Sequence, residues 1–164
     1  MTHIVEAHHV YCRAEVSRLA PLMKQVVAAH ARIHPELRHM ERLLAQHNRE
    51  LLRHLVKEEQ TLFPLIARME VARERETPLP RPSYGTIEHP VRVMMTEHVQ
   101  SGRELQEIRQ LSAGYTPPAD ADDDYRTLLT GLRAFEADML EHSSLEDEYL
   151  FPRAQALEAV VYGE

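Results

Sequence analysis

Apolar positions recur along this chain at spacings of three and four, the period of an α-helix with one buried face. No segment alternates as a strand does. The stripe His9, Cys12, Val16, Leu19, Met23, Val26 and His30 predicts a first helix from about Ile4 to about Ile33, kinked at Pro21. Leu37, Met40, Leu44, His47, Leu51, His54 and Glu58 predict a second helix. It starts near Pro35, a favourable first-turn residue, and continues past a kink at Pro64 to about Arg75. Prolines at 78, 80 and 82 mark a linker from Glu76 to about His89. A third helix is expected from about Pro90 to Leu111, with Val91, Met94, His98, Gly102, Leu105 and Ile108 inward. After the loop Ser112 to Asp122, capped by Asp122 or Asp123, a fourth helix runs to about Leu157 with a kink near Pro152. Its stripe is Leu128, Leu132, Phe135, Met139, His142 and Glu146. These elements predict an all-α fold, an up-down-up-down four-helix bundle, with residues 1–164 as one domain.

The stripes hold polar residues where leucine is expected, and those residues repeat. His54-Leu-Val-Lys-Glu58 is followed by Phe63-Pro64, and His142-Ser-Ser-Leu-Glu146 by Phe151-Pro152. Four residues along a helix give roughly 6 Å of rise and about 40° of rotation, so each His shares a face with its Glu. Each pair is preceded by a stripe histidine, His9 before the first and His98 before the second. Helix rise places His9 about 37 Å from the turn near His34, and His54 with Glu58 roughly 30–36 Å back up the next helix, at the same height. The same arithmetic sets His30 about 31 Å from His9, and His47 about 10 Å from His54, too far to join them. Buried glutamate is rare unless it is paired or bound to metal. His9, His54, Glu58, His98, His142 and Glu146 are therefore the candidate ligands of a two-metal site inside the bundle. Imidazole with carboxylate suits iron or manganese better than a structural zinc, which favours thiolates and four ligands. If both glutamates bridge, an oxo or hydroxo bridge would add two positions, and room is left for a small ligand such as O2, NO or water.

Composition narrows the classes of function. The formal charge of −7 argues against nucleic acid as a partner. Cys12 is the only cysteine, so no internal disulfide is possible. No signal peptide and no stretch of membrane-spanning length is read, so a cytoplasmic protein without a membrane partner is expected.

With Ile4-Val5-Glu6 leading to His9 and Arg13, Val-Ala-Ala-His30, His34-Pro-Glu-Leu, the two His-x-x-x-Glu runs and Glu97-His98-x-x-x-Gly102, the chain resembles the hemerythrin-like superfamily. It is most similar there to the di-iron domain of the repair-of-iron-centres proteins, over about residues 4 to 156. The resemblance implies two non-haem irons held by His9, His54, Glu58, His98, His142 and Glu146, with the glutamates bridging. It implies a role under nitrosative and oxidative stress, returning damaged iron–sulfur proteins to function by iron supply or NO chemistry. Family members usually begin with a short cysteine-containing domain, whereas this chain starts directly at the di-iron domain. The acidic residue usual after Glu97-His98 is Val99 here. The competing classes are a reversible O2 or NO binder or sensor and a metal store. Neither turnover nor oligomeric state is read from the residues.

Secondary expectations attach to nearby residues. Asp138, four before His142, and Glu50, four before His54, are candidates to accept the free ring N–H of a ligand histidine. Glu59 and Asp147 adjoin the bridging positions but turn about 100° away, which predicts solvent exposure. Cys12 reads as a small core residue, and Tyr11, Tyr125 and Tyr149 as core or surface packing residues rather than the lining of a gas channel.

Overall fold

The computed structural model describes residues 1–163, and no strand occurs among them. A π-helical segment, Ile4–His9, leads into α1, Val10–His30. Then come α2, Leu37–Lys57, the π-helical segment Glu58–Leu62, and α3, Phe63–Arg75. After the linker come α4, Glu88–Leu111, α5, Asp123–Leu145, the π-helical segment Glu146–Leu150, and α6, Phe151–Tyr162. The first π segment extends α1 and each of the other two joins two helices into one rod, so the described residues form four rods. α1 packs on α2 and α5, and α4 packs on the same two, while α3 packs on α6. This closed ring of sequence neighbours is the up-down-up-down four-helix bundle.

The sequence expectations need adjustment at the ends and at the kinks. α4 starts at Glu88 rather than Pro90, and the last rod reaches Tyr162 rather than Leu157. The reason at α4 lies far away in sequence: the buried Glu158 accepts the Ile87 N–H at 2.8 Å and caps the helix start. Pro21 sits within α1, which continues through it. Pro64 and Pro152 stand in the first turn of α3 and α6, where a missing N–H costs least. Immediately before each Phe-Pro pair the helix widens: the Phe63 N–H bonds the Glu58 carbonyl and the Phe151 N–H bonds the Glu146 carbonyl, five residues back. Asp122 caps α5 as expected, accepting the Tyr125 N–H at 2.9 Å.

The apolar interior falls into two cores. The larger includes Leu19, Met23, Leu44, Leu55, Leu132 and Phe135 from α1, α2 and α5. The smaller lies at the other end, with Leu65, Ile66 and Met69 of α3, Val91 and Met94 of α4, and Ala154 and Leu157 of α6. Gly131 lets α5 approach α1, since a Cβ there would lie 2.7 Å from the Leu19 Cδ2 atom. Between the two cores lies a layer of buried histidine and glutamate.

Candidate metal centre

The π segments place the two glutamates. Glu58 and Glu146 each open one, and both side chains are fully buried. His54 and His142 stand one turn earlier, near the ends of α2 and α5. His9 ends the first π segment and His98 lies mid-way along α4. The repeated Phe-Pro motif serves this layer too: the Phe63 ring stacks on His9 at 5.7 Å, and Phe151 on His98 at 5.9 Å.

The six side chains converge as two groups that share both glutamates. Donor atoms of His9, Glu58, His142 and Glu146 lie within 4.8 Å of one another, as do those of His54, Glu58, His98 and Glu146. Glu58 aims Oε1 at Nε2 of His54, 3.1 Å away, and Oε2 at Nε2 of His9, 3.4 Å away. Glu146 aims Oε1 at Nε2 of His142 at 3.3 Å and Oε2 at Nε2 of His98 at 3.2 Å. Each carboxylate thus gives one oxygen to each group. Nε2 of His54 and of His98 also face each other at 3.1 Å.

These contacts lie within ion-pair distance but lack hydrogen-bond alignment. All four glutamate oxygens, and Nε2 of His9 and of His142, have no hydrogen-bond partner. A buried polar atom without a partner costs roughly 1–3 kcal/mol, so a cluster of them marks a place meant for another species. Four imidazole nitrogens and two carboxylates aimed at two points are a donor set that suits divalent cations such as iron or manganese. In the protein alone, burial opposes charge on His98, but Asp147 and Glu146 outweigh it and lift its pKa to about 9. Burial likewise works against ionised Glu146, yet His142 and His98 hold its carboxyl well below the usual range.

Behind the six stands a second row. Nδ1 of His9 meets Glu59 Oε1 at 2.7 Å, and Arg13 donates to the same oxygen at 2.9 Å. Nδ1 of His54 meets Glu97 Oε2 at 2.9 Å, and Lys57 holds the other oxygen of Glu97. Nδ1 of His98 meets Asp147 Oδ1 at 2.8 Å. A carboxylate on Nδ1 fixes the tautomer and leaves Nε2 free to ligate. The expected partners are thus corrected. Asp138 bonds His8, not His142, and Glu50 accepts from Gln46 at 3.2 Å. Glu59 and Asp147 do turn away from the glutamate face, but a direction 100° off that face points along the neighbouring rod, so each is half-buried, with its carboxylate on a histidine of that rod. Their signal was in the sequence, since an acid follows the glutamate in both copies of the repeat. His8 and Glu104, both buried, carried no such signal.

Two sequence exclusions have clear places. His30 lies at the far end of α1, paired with Asp122. His47 lies in the bundle beside Glu104, with 3.4 Å between Nδ1 and Oε2. A cleft of about 330 Å³ between α2 and α4 is lined by His47, Glu104 and Met139 and reaches His54 and His98. Cys12 is buried, its thiol beside Asp138 and Met139. Burial and the Asp138 charge push that thiol far above its ordinary pKa, so it stays protonated and unreactive. Tyr149 is 58% exposed and lies on the surface.

The arrangement agrees with the comparison to known proteins, where the model of the hemerythrin HHE cation binding domain matches residues 1–154. The chain belongs to the hemerythrin family. The iron-sulfur cluster repair protein YtfE of Yersinia pseudotuberculosis is 32% identical over 155 residues, covering 94% of this chain and 64% of that protein. The YtfE protein of an Enterobacter species shows the same identity over 154 residues, with the same coverage. A Haemophilus influenzae protein described as a probable iron-sulfur cluster repair protein is 38% identical over 104 residues, 63% of this chain and 41% of its own length. The chain thus spans a little under two thirds of the YtfE proteins it matches. No helix among the described residues is long and apolar enough to cross a membrane.

Proposed function

We propose that this hemerythrin-family domain holds two non-haem irons, bridged by Glu58 and Glu146, and assists the recovery of iron–sulfur proteins damaged by nitrosative or oxidative stress. The observation that carries the site is the split of each carboxylate, one oxygen toward each histidine pair. His9 and His142 would hold one ion, and His54 and His98 the other. When bound, the iron pair supplies redox chemistry, small-ligand binding and exchangeable iron. The protein's own part is to fix the ligand tautomers through Glu59, Glu97 and Asp147, and to admit a small molecule such as NO or O2 along the α2–α4 cleft. The similarity to iron-sulfur cluster repair proteins supports the repair role, with iron–sulfur proteins as partners, and we place that role in the cytoplasm.

The test uses an NO-damaged iron–sulfur dehydratase in a cell extract. Wild-type protein should speed recovery of its activity, and the Glu58→Leu, Glu146→Leu double variant should not. Equal recovery with both removes the repair role. The cleft reaching His54 and His98 favours one second reading, reversible binding of O2 or NO without turnover. Tight, reversible O2 uptake by the iron-loaded protein would move the assignment there.

A further inference from the structure

The two candidate ion positions are not equivalent, and the internal repeat shows where they part. His98 stands 89 residues after His9, and Glu97 stands 89 after His8. Glu97 accepts Nδ1–H of His54, the second-rod histidine across from it. By the repeat, position 8 should serve His142 in the same way. It carries an imidazole instead, stacked on His142 with ring centroids 5.4 Å apart and planes 8° from parallel. Nδ1 of His8 is turned to Asp138 at 3.0 Å, and Nδ1 of His142 is buried without any partner. Both histidines of the His54/His98 position thus carry a carboxylate on Nδ1, whereas the His9/His142 position has one such histidine and one bare one.

A carboxylate behind an imidazole raises its basicity and orients it, and losing one costs roughly 10–100-fold in metal affinity. We infer that His8 makes the two positions unequal: iron fills the His54/His98 position first, and the His9/His142 ion is the last bound and first released. This rests on the di-iron reading above and deepens its iron-supply branch, because it names the ion free to leave. His8 is a positioning residue in this account, acting on the metal through His142.

The experiment is an anaerobic titration of the metal-free protein with ferrous iron alone, with Mössbauer spectra at one and two equivalents of ⁵⁷Fe. The wild type should bind in two steps separated by at least about tenfold. His8→Glu, which restores the acid of the repeat, should tighten the second step by about tenfold and leave the first unchanged. Glu97→Gln should weaken the first step by about 10–100-fold and narrow the gap. If His8→Glu does not fold by circular dichroism, Glu97→Gln and Asp147→Asn carry the test, since each must weaken the first step alone. Two indistinguishable steps in the wild type, or a gap that these variants leave untouched, overturn the inference while leaving the di-iron reading in place. Absence of any iron binding overturns that reading as well.

Discussion

Two assemblies of histidine and acid occupy opposite ends of α1. At its start, His9 joins the buried layer with Glu58 and Glu146. At its end, His30 donates to Asp122 at 2.9 Å, and His34 meets Asp120 at 3.0 Å and Glu36 at 3.2 Å. The residue types are the same, yet the chemistry differs. The far-end acids are about half exposed, at 52% for Asp122 and 48% for Asp120, and each imidazole there meets a carboxylate in hydrogen-bond alignment. In the layer the glutamates are fully buried, and none of their oxygens has a hydrogen-bond partner. A satisfied set is a strap between loops, whereas an orphaned set waits for a cation. Unmet bonding capacity, not the count of histidines, separates them.

The contrast breaks most sharply under metal removal. Wild-type protein should carry about two irons per chain, and the Glu58→Leu, Glu146→Leu variant close to none, by elemental analysis. With free metal about a hundredfold above Kd, each occupied site adds about 2.7 kcal/mol of stability, so a chelator should lower the wild-type Tm and leave the double variant unmoved. Asp147→Asn is a gentler cut, leaving every ligand in place and lowering affinity by about 10–100-fold in a competition titration. At the far end, His30→Ala should keep full iron content. A loss of iron there would show that the two assemblies communicate.

The smallest effect is a pH dependence at His34. Hydrogen bonding to Asp120, then to Glu36, raises its pKa, and the same contact with His34 lowers that of Asp120. The histidine's contribution is fully present below its unfolded value of about 6.5 and fades as pH rises through the raised folded value. The Asp120 contribution is present above its unfolded value and fades as pH falls through the lowered one. The Tm difference between wild type and His34→Gln should therefore be largest between about pH 5 and 6.5 and shrink by pH 9. An unchanged difference would mean that the strap carries no charge.

The bundle was legible because its stripes keep strict helical spacing for six or seven positions each. The six converging side chains were legible because they repeat at fixed offsets and replace leucine on those stripes. The second row was not, because sequence spacing along one helix says which face a residue takes, not which neighbour stands across from that face. Glu59 and Asp147 reach histidines on adjacent rods, 50 and 49 residues away in sequence. Glu158 was hidden for the same reason, since its partner Ile87 is 71 residues off. The widened turns at Glu58–Leu62 and Glu146–Leu150 also escaped, because a proline announces a disturbance without saying how the helix absorbs it.

The polar layer between the two apolar cores has a consequence for how the molecule comes apart. A continuous core unfolds as one unit, whereas here the smaller group of α3, α6 and the start of α4 meets the larger one across histidines and carboxylates. Without metal, the end cap can open as its own cooperative unit, so its amides should exchange with solvent faster than those of α1, α2 and α5. An ion pair ligated from all four rods would fuse the two units, and loading would then register as slowed exchange at α3 and α6, beyond the residues that touch the metal.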